Sequence, residues 1–484
     1  MTDAVLLWFR SDLRLDDHAA VAEAVKSGLP VIPLYIFDDS FPARPLGAAS
    51  KWWLNRSLAA LDTALQRHGS RLILKAGDTE KILKEIIKEN NIKTIFCSHT
   101  FEPKGEAFDA RFAADSGIDV RRFNTHLLAD PSAVRTGADG PYKVFTPFYR
   151  ALLSKGYADG HTRRLSKSPW VAPETWSESL PLDALDLHPK LTPSGQDWSR
   201  GFDIWTPGEA GAHSRLQHFI AHGLKNYADG RDRPDLDLTS HLSPHLRFGE
   251  ISPHRLLHDV ERAVEHDASL RDGYEKFRSE LAWRDFCFGI LCQQPDLHHR
   301  NFKPQFDDMP WEDDTRAFRA WCRGETGYSL VDAGMRELWQ TGIMHNRVRM
   351  VCASFLVKHL MIDWRKGEQW FWDTLLDADP ANNPANWQWV AGSGADAAPY
   401  FRIFNPLTQA EKFDPKGHYR HRYITGFPEM KTSRSRSAHQ KFEQDLFDFL
   451  GHKPDAEAGT GMIVDHGKAR QRALDAYARL KNED

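Results

Sequence analysis

The chain has 484 residues, 41% of them hydrophobic and 27% charged, with a formal net charge of −4. That length exceeds one ordinary core and calls for two domains or one domain with a large second lobe; a near-neutral surface excludes a general polycation, so a nucleic-acid site has to be a local patch. No apolar run approaches the roughly 20 residues that span a bilayer, the opening MTDAVLLWFRSDLRLDD lacks the pattern of a secretory leader, and the five cysteines (Cys97, Cys287, Cys292, Cys322, Cys352) form no C-x-x-C pair, so a cytoplasmic protein without a disulfide framework, zinc ribbon or membrane segment is expected.

Over the first 130 residues, short apolar runs at 4–9, 31–37, 71–77 and 93–99 alternate with helical periodicity at 50–68 and 79–91. This rhythm predicts a Rossmann-like α/β domain on a parallel sheet, yet no G-x-G-x-x-G follows the first strand, which disfavours an ordinary nicotinamide dinucleotide site. Residues 131–205 are rich in Pro, Ser, Gly and Asp and read as a long connector that holds the domain boundary. From 206 to 484 the pattern is all helical, with apolar residues three and four apart at 209–223, 252–266, 271–293, 313–323, 330–341, 344–361 and 367–376. The closing GMIVDHGKARQRALDAYARLKN reads as a final helix.

Four stretches concentrate chemistry. Y-A-D-G-R-D-R-P from Tyr227 and T-S-H-L-S-P-H-L-R-F-G from Thr239 put hydroxyls and backbone N–H groups ahead of a helix start, which suits a pyrophosphate; an ordinary Ser-Pro helix start reads the same way. His241 and His245 are four apart, but no third ligand accompanies them, so no metal site is expected. In F-R-S-E-L-A-W-R-D-F, Glu280 and Trp283 share a helical face, as do Asn346 and Met350 in T-G-I-M-H-N-R-V-R-M. Between Asp377 and Pro406 stand two acids, a run of asparagines and the W-Q-W of Trp387 and Trp389, a combination that suggests a buried polar ligand beside a stacking surface. Read alone, those acids and asparagines serve equally as caps and turns.

Together these motifs closely resemble the photolyase/cryptochrome family, and the resemblance runs over essentially the whole chain from W-F-R-S-D-L-R-L-D-D at Trp8. It implies an FAD site built from Tyr227, Thr239, Ser240, Leu242, Ser243, Arg347, Asp377, Asp379 and Asn383, with Asn383 facing the flavin N5. It also implies a pocket for a flipped-out cyclobutane pyrimidine dimer formed by Glu280, Trp283, Asn346, Met350 and Trp389. Trp387, Trp364 and Trp311 match the family's electron-transfer relay, and Arg231, Arg347 and Arg402 its phosphate-gripping positions on UV-damaged DNA. The runs His418–Arg422 and Lys431–Arg436 would widen that basic patch.

Within the family, enzymes for the (6-4) photoproduct carry histidines at the positions of Asn346 and Met350, and the DASH branch departs from the tryptophan at Trp389. No cysteine lies beyond Cys352, unlike the iron–sulfur branch. Light-driven repair of cyclobutane dimers is therefore expected, with a cryptochrome-like photoreceptor as the alternative. The folate-contacting Cys-Lys and Asn-Glu pairs of familiar bacterial enzymes are replaced by His298-His299 and by F-E-P-K-G-E from Phe101 to Glu106. R-P-L-G-A-A-S-K-W-W from Arg44 resembles the class III branch, which implies a methenyltetrahydrofolate antenna, with deazaflavin as the alternative. A monomer without an obligate protein partner is expected.

Overall fold

The alternation of apolar runs and amphipathic stretches folds as a five-stranded parallel sheet in the order β3-β2-β1-β4-β5. Its elements are β1 Val5–Phe9, α1 Ala19–Lys26, β2 Val31–Phe37, α2 Ala48–Gln66, β3 Ile73–Ala76, α3 Thr79–Asn90, β4 Thr94–Ser98, α4 Pro103–Ser116 and β5 Asp119–Phe123. In this computed structural model residues 3–41, 44–157, 169–188, 195, 197–397, 401–424 and 461–482 are described. Strand β1 sits at the centre, with Val5 opposite Val31 on one side and Thr94 on the other. All five of its residues are buried, as expected of a parallel strand covered on both faces.

Edge strand β5 differs from the sequence reading, which found no strand there. Its sequence, DVRRF, is half polar and largely uncovered, so it lacks the apolar run that marks the buried strands, and its charges suit an edge. The connector also differs: it carries helix α5, Phe145–Ser154, which buries Phe145, Phe148 and Leu152 and packs on the helical lobe.

The helical lobe runs α6 Glu209–His218, α7 Tyr227–Gly230, α8 Ser243–Arg247, α9 Pro253–His266, α10 Arg271–Gln293, α11 Thr315–Arg323, α12 Ser329–Thr341, α13 Asn346–Ser354, α14 Trp364–Thr374, α15 Asn382–Ala391, α16 Pro406–Phe413, α17 His418–Ile424 and α18 His466–Asn482. Two helices expected to run unbroken end in π-helical turns, Phe219–Gly223 and Phe355–His359. Such insertions leave the apolar spacing nearly intact, so periodicity does not reveal them. Helix α12 stops at Gly342, whose φ of 70° is the left-handed geometry that favours glycine at a helix end.

The two lobes are joined by a packed, polar-pinned interface. Trp53 of α2 stacks beside Phe248 and donates from Nε1 to the fully buried Glu250 at 3.0 Å. Gly47 approaches so closely that a Cβ would lie 2.0 Å from the Trp372 carbonyl oxygen of α14, and the adjacent Ala48 N–H donates to Asp373 at 2.9 Å. No helix among the described residues is long and apolar enough to cross a membrane.

Candidate functional site

Helix α15 is the floor of the site, and Asp379 starts it. Its carboxylate accepts the backbone N–H groups of Ala381 at 2.8 Å and Asn382 at 2.6 Å, and the Asn382 side chain at 2.9 Å. Asp379 thus meets the orphan donors of a helix start. Asp377, by contrast, is held by a fork from α13: Arg349 donates from Nη1 at 3.1 Å and Nη2 at 2.8 Å, while its Nε bonds the Met344 carbonyl at 2.6 Å. Arg349 was not singled out in the sequence. The need of a buried acid for a cationic donor pointed to some arginine, but not to which one.

Asn383 points its amide nitrogen at α14, donating to the Glu368 carbonyl at 3.1 Å and to its carboxylate at 2.8 Å. Among the described residues the amide oxygen of Asn383 has no hydrogen-bond partner, which leaves an acceptor open at the site.

The proposed phosphate loop leads into α8, whose Arg247 donates to the Ala378 carbonyl at 2.8 Å. Tyr227 is buried against Phe219 and Phe277. Thr239, Ser240 and Leu242 form the turn before α8, with the Ser240 hydroxyl accepting from the Leu242 N–H at 3.4 Å, and Ser243 is exposed at the start of that helix. His241 bonds Asp237 at 3.1 Å, whereas His245 is buried against Glu250 at 2.5 Å. The two histidines therefore have different partners and do not share one ligand face.

Near this turn, cations gather around unmatched buried atoms. The Nε2 of His345 and the Nε of Arg347 are buried without partners among the described residues. Burial, reinforced by His241, Arg231 and Arg349, lowers the His345 imidazole to about 4, although Asp232 opposes the shift. Arg347 pairs with Asp232 at 2.6 Å and lies over the Phe413 ring at 4.4 Å. An open groove of about 1010 Å³ is lined by Arg347, Arg402, Arg233 and Lys412 together with Asp229 and Asp232.

The residues expected at the dimer pocket lie on three helices, α10, α13 and α15. Trp283 of α10 and Trp389 of α15 line one small apolar cavity with Phe286, Cys287 and Ala395. Trp389 is fixed by a 3.0 Å bond from Nε1 to the Asp396 carbonyl. Trp283 stacks on Phe145 of the connector at 3.8 Å with the rings 9° from parallel, a partner that the connector's Pro-, Ser- and Gly-rich composition does not announce. Three residues before Trp283, Glu280 pairs with Arg231 and, at 3.0 Å, with Lys276. Burial and the neighbouring Arg231 hold the Lys276 amine below its usual value. Asn346 is exposed at the start of α13, and Met350 lies half-buried one turn on.

Two of the three expected relay tryptophans are sealed in the core of the helical lobe. Trp387 is 2% exposed and Trp364 wholly buried, while Trp311 is half-buried at its margin. Trp364 donates to Asn301 at 2.9 Å. Trp387 meets Phe371 edge-on at 4.9 Å and Trp321 at 6.1 Å. His298 and His299 sit ring to ring at 3.9 Å, and burial with His299, Arg44 and Lys104 nearby lowers His298 to about 4. In the His418–Arg422 run, Arg420 is bound to Asp414 at 3.0 Å; the Lys431–Arg436 run lies outside the described residues.

Comparison with known proteins gives this arrangement its context. Residues 5–168 match the family profile described as DNA photolyase, and residues 277–479 match the FAD binding domain of DNA photolyase. A deoxyribodipyrimidine photo-lyase of Agrobacterium fabrum is 49% identical over 99% of this chain and 98% of that protein. The chain belongs to the DNA photolyase family. The crystal structure of a bacterial class III photolyase from Agrobacterium tumefaciens superposes with a TM-score of 0.87 at 48% identity, covering 100% of this chain and 98% of that one. Cryptochrome-1 of Arabidopsis thaliana is 35% identical over 88% of this chain but only 63% of its own length.

Family membership makes this an FAD-binding photolyase fold, and the donor set fits the cofactor. Open acceptor and donor atoms at Asn383, His345 and Arg347, with the cations Arg231 and Arg349 close by, match a ligand that carries both ring N–H groups and a pyrophosphate.

Proposed function

We propose that this protein repairs cyclobutane pyrimidine dimers in DNA by light-driven electron transfer, with Glu280, Trp283, Asn346, Met350 and Trp389 forming the dimer pocket. The observation that carries the reading is the shared cavity of Trp283 and Trp389, with Glu280 one turn from Trp283 on the same helix. FAD, when bound and fully reduced, supplies the electron that opens the dimer on absorbing near-UV or blue light. Tyr227, Thr239, Ser240, Leu242, Ser243 and Arg347 hold its phosphates, and Asp377, Asp379 and Asn383 its ring side.

The indoles of Trp283 and Trp389 take the flat faces of the extruded dimer and exclude water. Glu280 meets the polar pyrimidine edge and stabilises charge that develops there, while Asn346 and Met350 orient the dimer from α13. Arg231, Arg347 and Arg402 bind backbone phosphates, which positions the strand without reading its sequence. For Arg231 and Arg347 this exchanges the carboxylates of Glu280 and Asp232 for phosphate oxygens. Trp387, Trp364 and Trp311 carry electrons inward during photoreduction, a step separable from repair. The antenna is proposed to be methenyltetrahydrofolate on the strength of the Arg44–Trp53 stretch; deazaflavin fluorescence from denatured protein would replace it. A cytoplasmic monomer without an obligate protein partner completes the proposal.

The test is anaerobic: photoreduce the full chain, add a thymine-dimer oligonucleotide, illuminate, and quantify restored thymines against a dark control. Light-dependent restoration is expected. No restoration in the presence of bound, fully reduced FAD would overturn the proposal in favour of a photoreceptor.

A further inference from the structure

A polar chain links the α/β lobe to the open acceptor at the centre of the site. Arg44, just before α2, donates from Nη1 to Glu368 Oε1 at 2.8 Å and from Nη2 to Oε2 at 3.0 Å. The Glu368 side chain on α14 is 2% exposed, and its Oε1 also accepts from Asn383 Nδ2 at 2.8 Å. Arg44 is itself fixed three ways. Its guanidinium lies 4.1 Å over the Trp372 ring, its Nη2 donates to Gln369 at 2.7 Å, and Trp372 Nε1 donates back to the Pro45 carbonyl at 2.9 Å.

The chemistry of this chain has one direction. Both Glu368 oxygens accept from the Arg44 fork, and the oxygen nearer Asn383 has only acceptor capacity to offer, so the Asn383 NH₂ faces Glu368 and the carbonyl oxygen faces away from it. Without the guanidinium the Glu368 side chain loses the fork that fixes its two oxygens, and only its backbone carbonyl, 3.1 Å away, still orients the Asn383 NH₂. The Asn383 amide could then turn over and present NH₂ at the site.

We infer that Arg44 and Glu368 are positioning residues which hold the Asn383 carbonyl oxygen toward the flavin as an acceptor for a ring N–H. The α/β lobe thereby sets the protonation preference of a cofactor bound wholly in the other lobe. This inference rests on Asn383 lying at the flavin ring, as in the proposed function. The Arg44–Trp53 stretch, noted in the sequence only for its likeness to the class III branch, thus acquires a role at the flavin.

The experiment uses the full-length holoprotein and follows the midpoint potential of bound flavin from pH 5 to 9 together with its visible spectrum. Arg44→Ala and Glu368→Leu are expected to move the pH at which the ring loses its N–H downward by about one unit, the worth of one hydrogen bond to that group. Arg44→Lys, which keeps the charge but not the fork, is expected to recover part of the shift. Asp373→Ala supplies the control: it removes one polar contact at the same junction, from the Ala48 N–H, while leaving the Gly47 approach and the Arg44 fork in place, and is expected to leave the pH profile unchanged.

An Arg44→Ala protein that binds flavin with an unaltered pH profile would overturn the inference, as would an Asp373→Ala protein with the same shift, because then the loss of any polar contact at this junction, and not of the Arg44 fork, would account for the effect. A wild-type protein that binds no flavin would instead count against the site reading itself. Glu368→Leu guards against misfolding of the arginine variant, since it leaves no unpaired buried carboxyl and Arg44 keeps Gln369 and the Trp372 ring as partners.

Discussion

Gly367 sits in α14 against Trp387 of the proposed relay, and its replacement by alanine tests how tightly that indole is held. A Cβ on residue 367 would lie 2.3 Å and 2.6 Å from two carbons of the Trp387 indole and 2.5 Å from Leu356 Cδ2. Restoring ordinary van der Waals contact needs a displacement of about 1 Å. Trp387 has little room to give, because it is 2% exposed and hemmed in by Phe371 at 4.9 Å and Trp321 at 6.1 Å.

Overpacking of this kind costs about 1–3 kcal/mol, which lowers the melting temperature by a few degrees. The functional consequence falls on electron entry. Photoreduction of oxidised flavin under blue light with an external thiol is expected to slow severalfold in Gly367→Ala, while repair by protein reduced chemically in the dark stays at the wild-type level. An alanine variant with unchanged stability and photoreduction would refute the packing argument. A parallel loss of photoreduction and dark-reduced repair would refute the separation of relay from repair.

Three further outcomes are expected. Trp53→Phe removes the 3.0 Å donor to the fully buried Glu250 and should cost about 1.5–3 kcal/mol in urea unfolding, the range for a hydrogen bond to a charged group; a change within error would mean that His245 alone satisfies the carboxylate. Arg349→Met leaves the buried Asp377 without its fork and is expected to lower the flavin content of purified protein, read from visible absorbance, more than it lowers thermal stability. Burial and the facing His466, 2.8 Å away, lower His359 to about 4. The folded state therefore keeps this imidazole neutral while the unfolded chain protonates it near 6.5. The stability present above pH 6.5 is accordingly lost as the pH falls toward 4, and α18, which carries His466 and donates from Arg472 to the His359 carbonyl, should become protease-sensitive over that window. His359→Gln should flatten the dependence.

How much of this molecule was legible in its sequence depends on which force fixes each part. Strands β1, β2 and β4 announce themselves because strands covered on both faces must be continuously apolar, and α10 is bounded at Arg271 and Gln293 as its periodicity indicates. Strand β5 fails the same test because a polar edge gives no apolar signal. The π-helical turns fail because one extra residue hardly disturbs the spacing of buried positions. In the site, the residue types are legible and their pairings are not. The run of acids and asparagines marks a ligand surface, yet Asp379 spends its carboxylate on the start of α15 and Asp377 spends its own on Arg349.

The pairings are hidden because a buried polar group selects its partner by position in space, and spacing along the chain carries no record of it. Arg44 and Glu368 are 324 residues apart, and α2 brings them together only because Gly47 lets its backbone rest on the Trp372 carbonyl. A side chain at residue 47 would lift α2 off α14 and pull Arg44 from Glu368. Gly47→Ala should therefore reproduce the flavin protonation shift of Arg44→Ala without altering a single polar group; a Gly47→Ala protein with both a wild-type profile and wild-type stability would show that the contact between the lobes is looser than its 2.0 Å clearance demands.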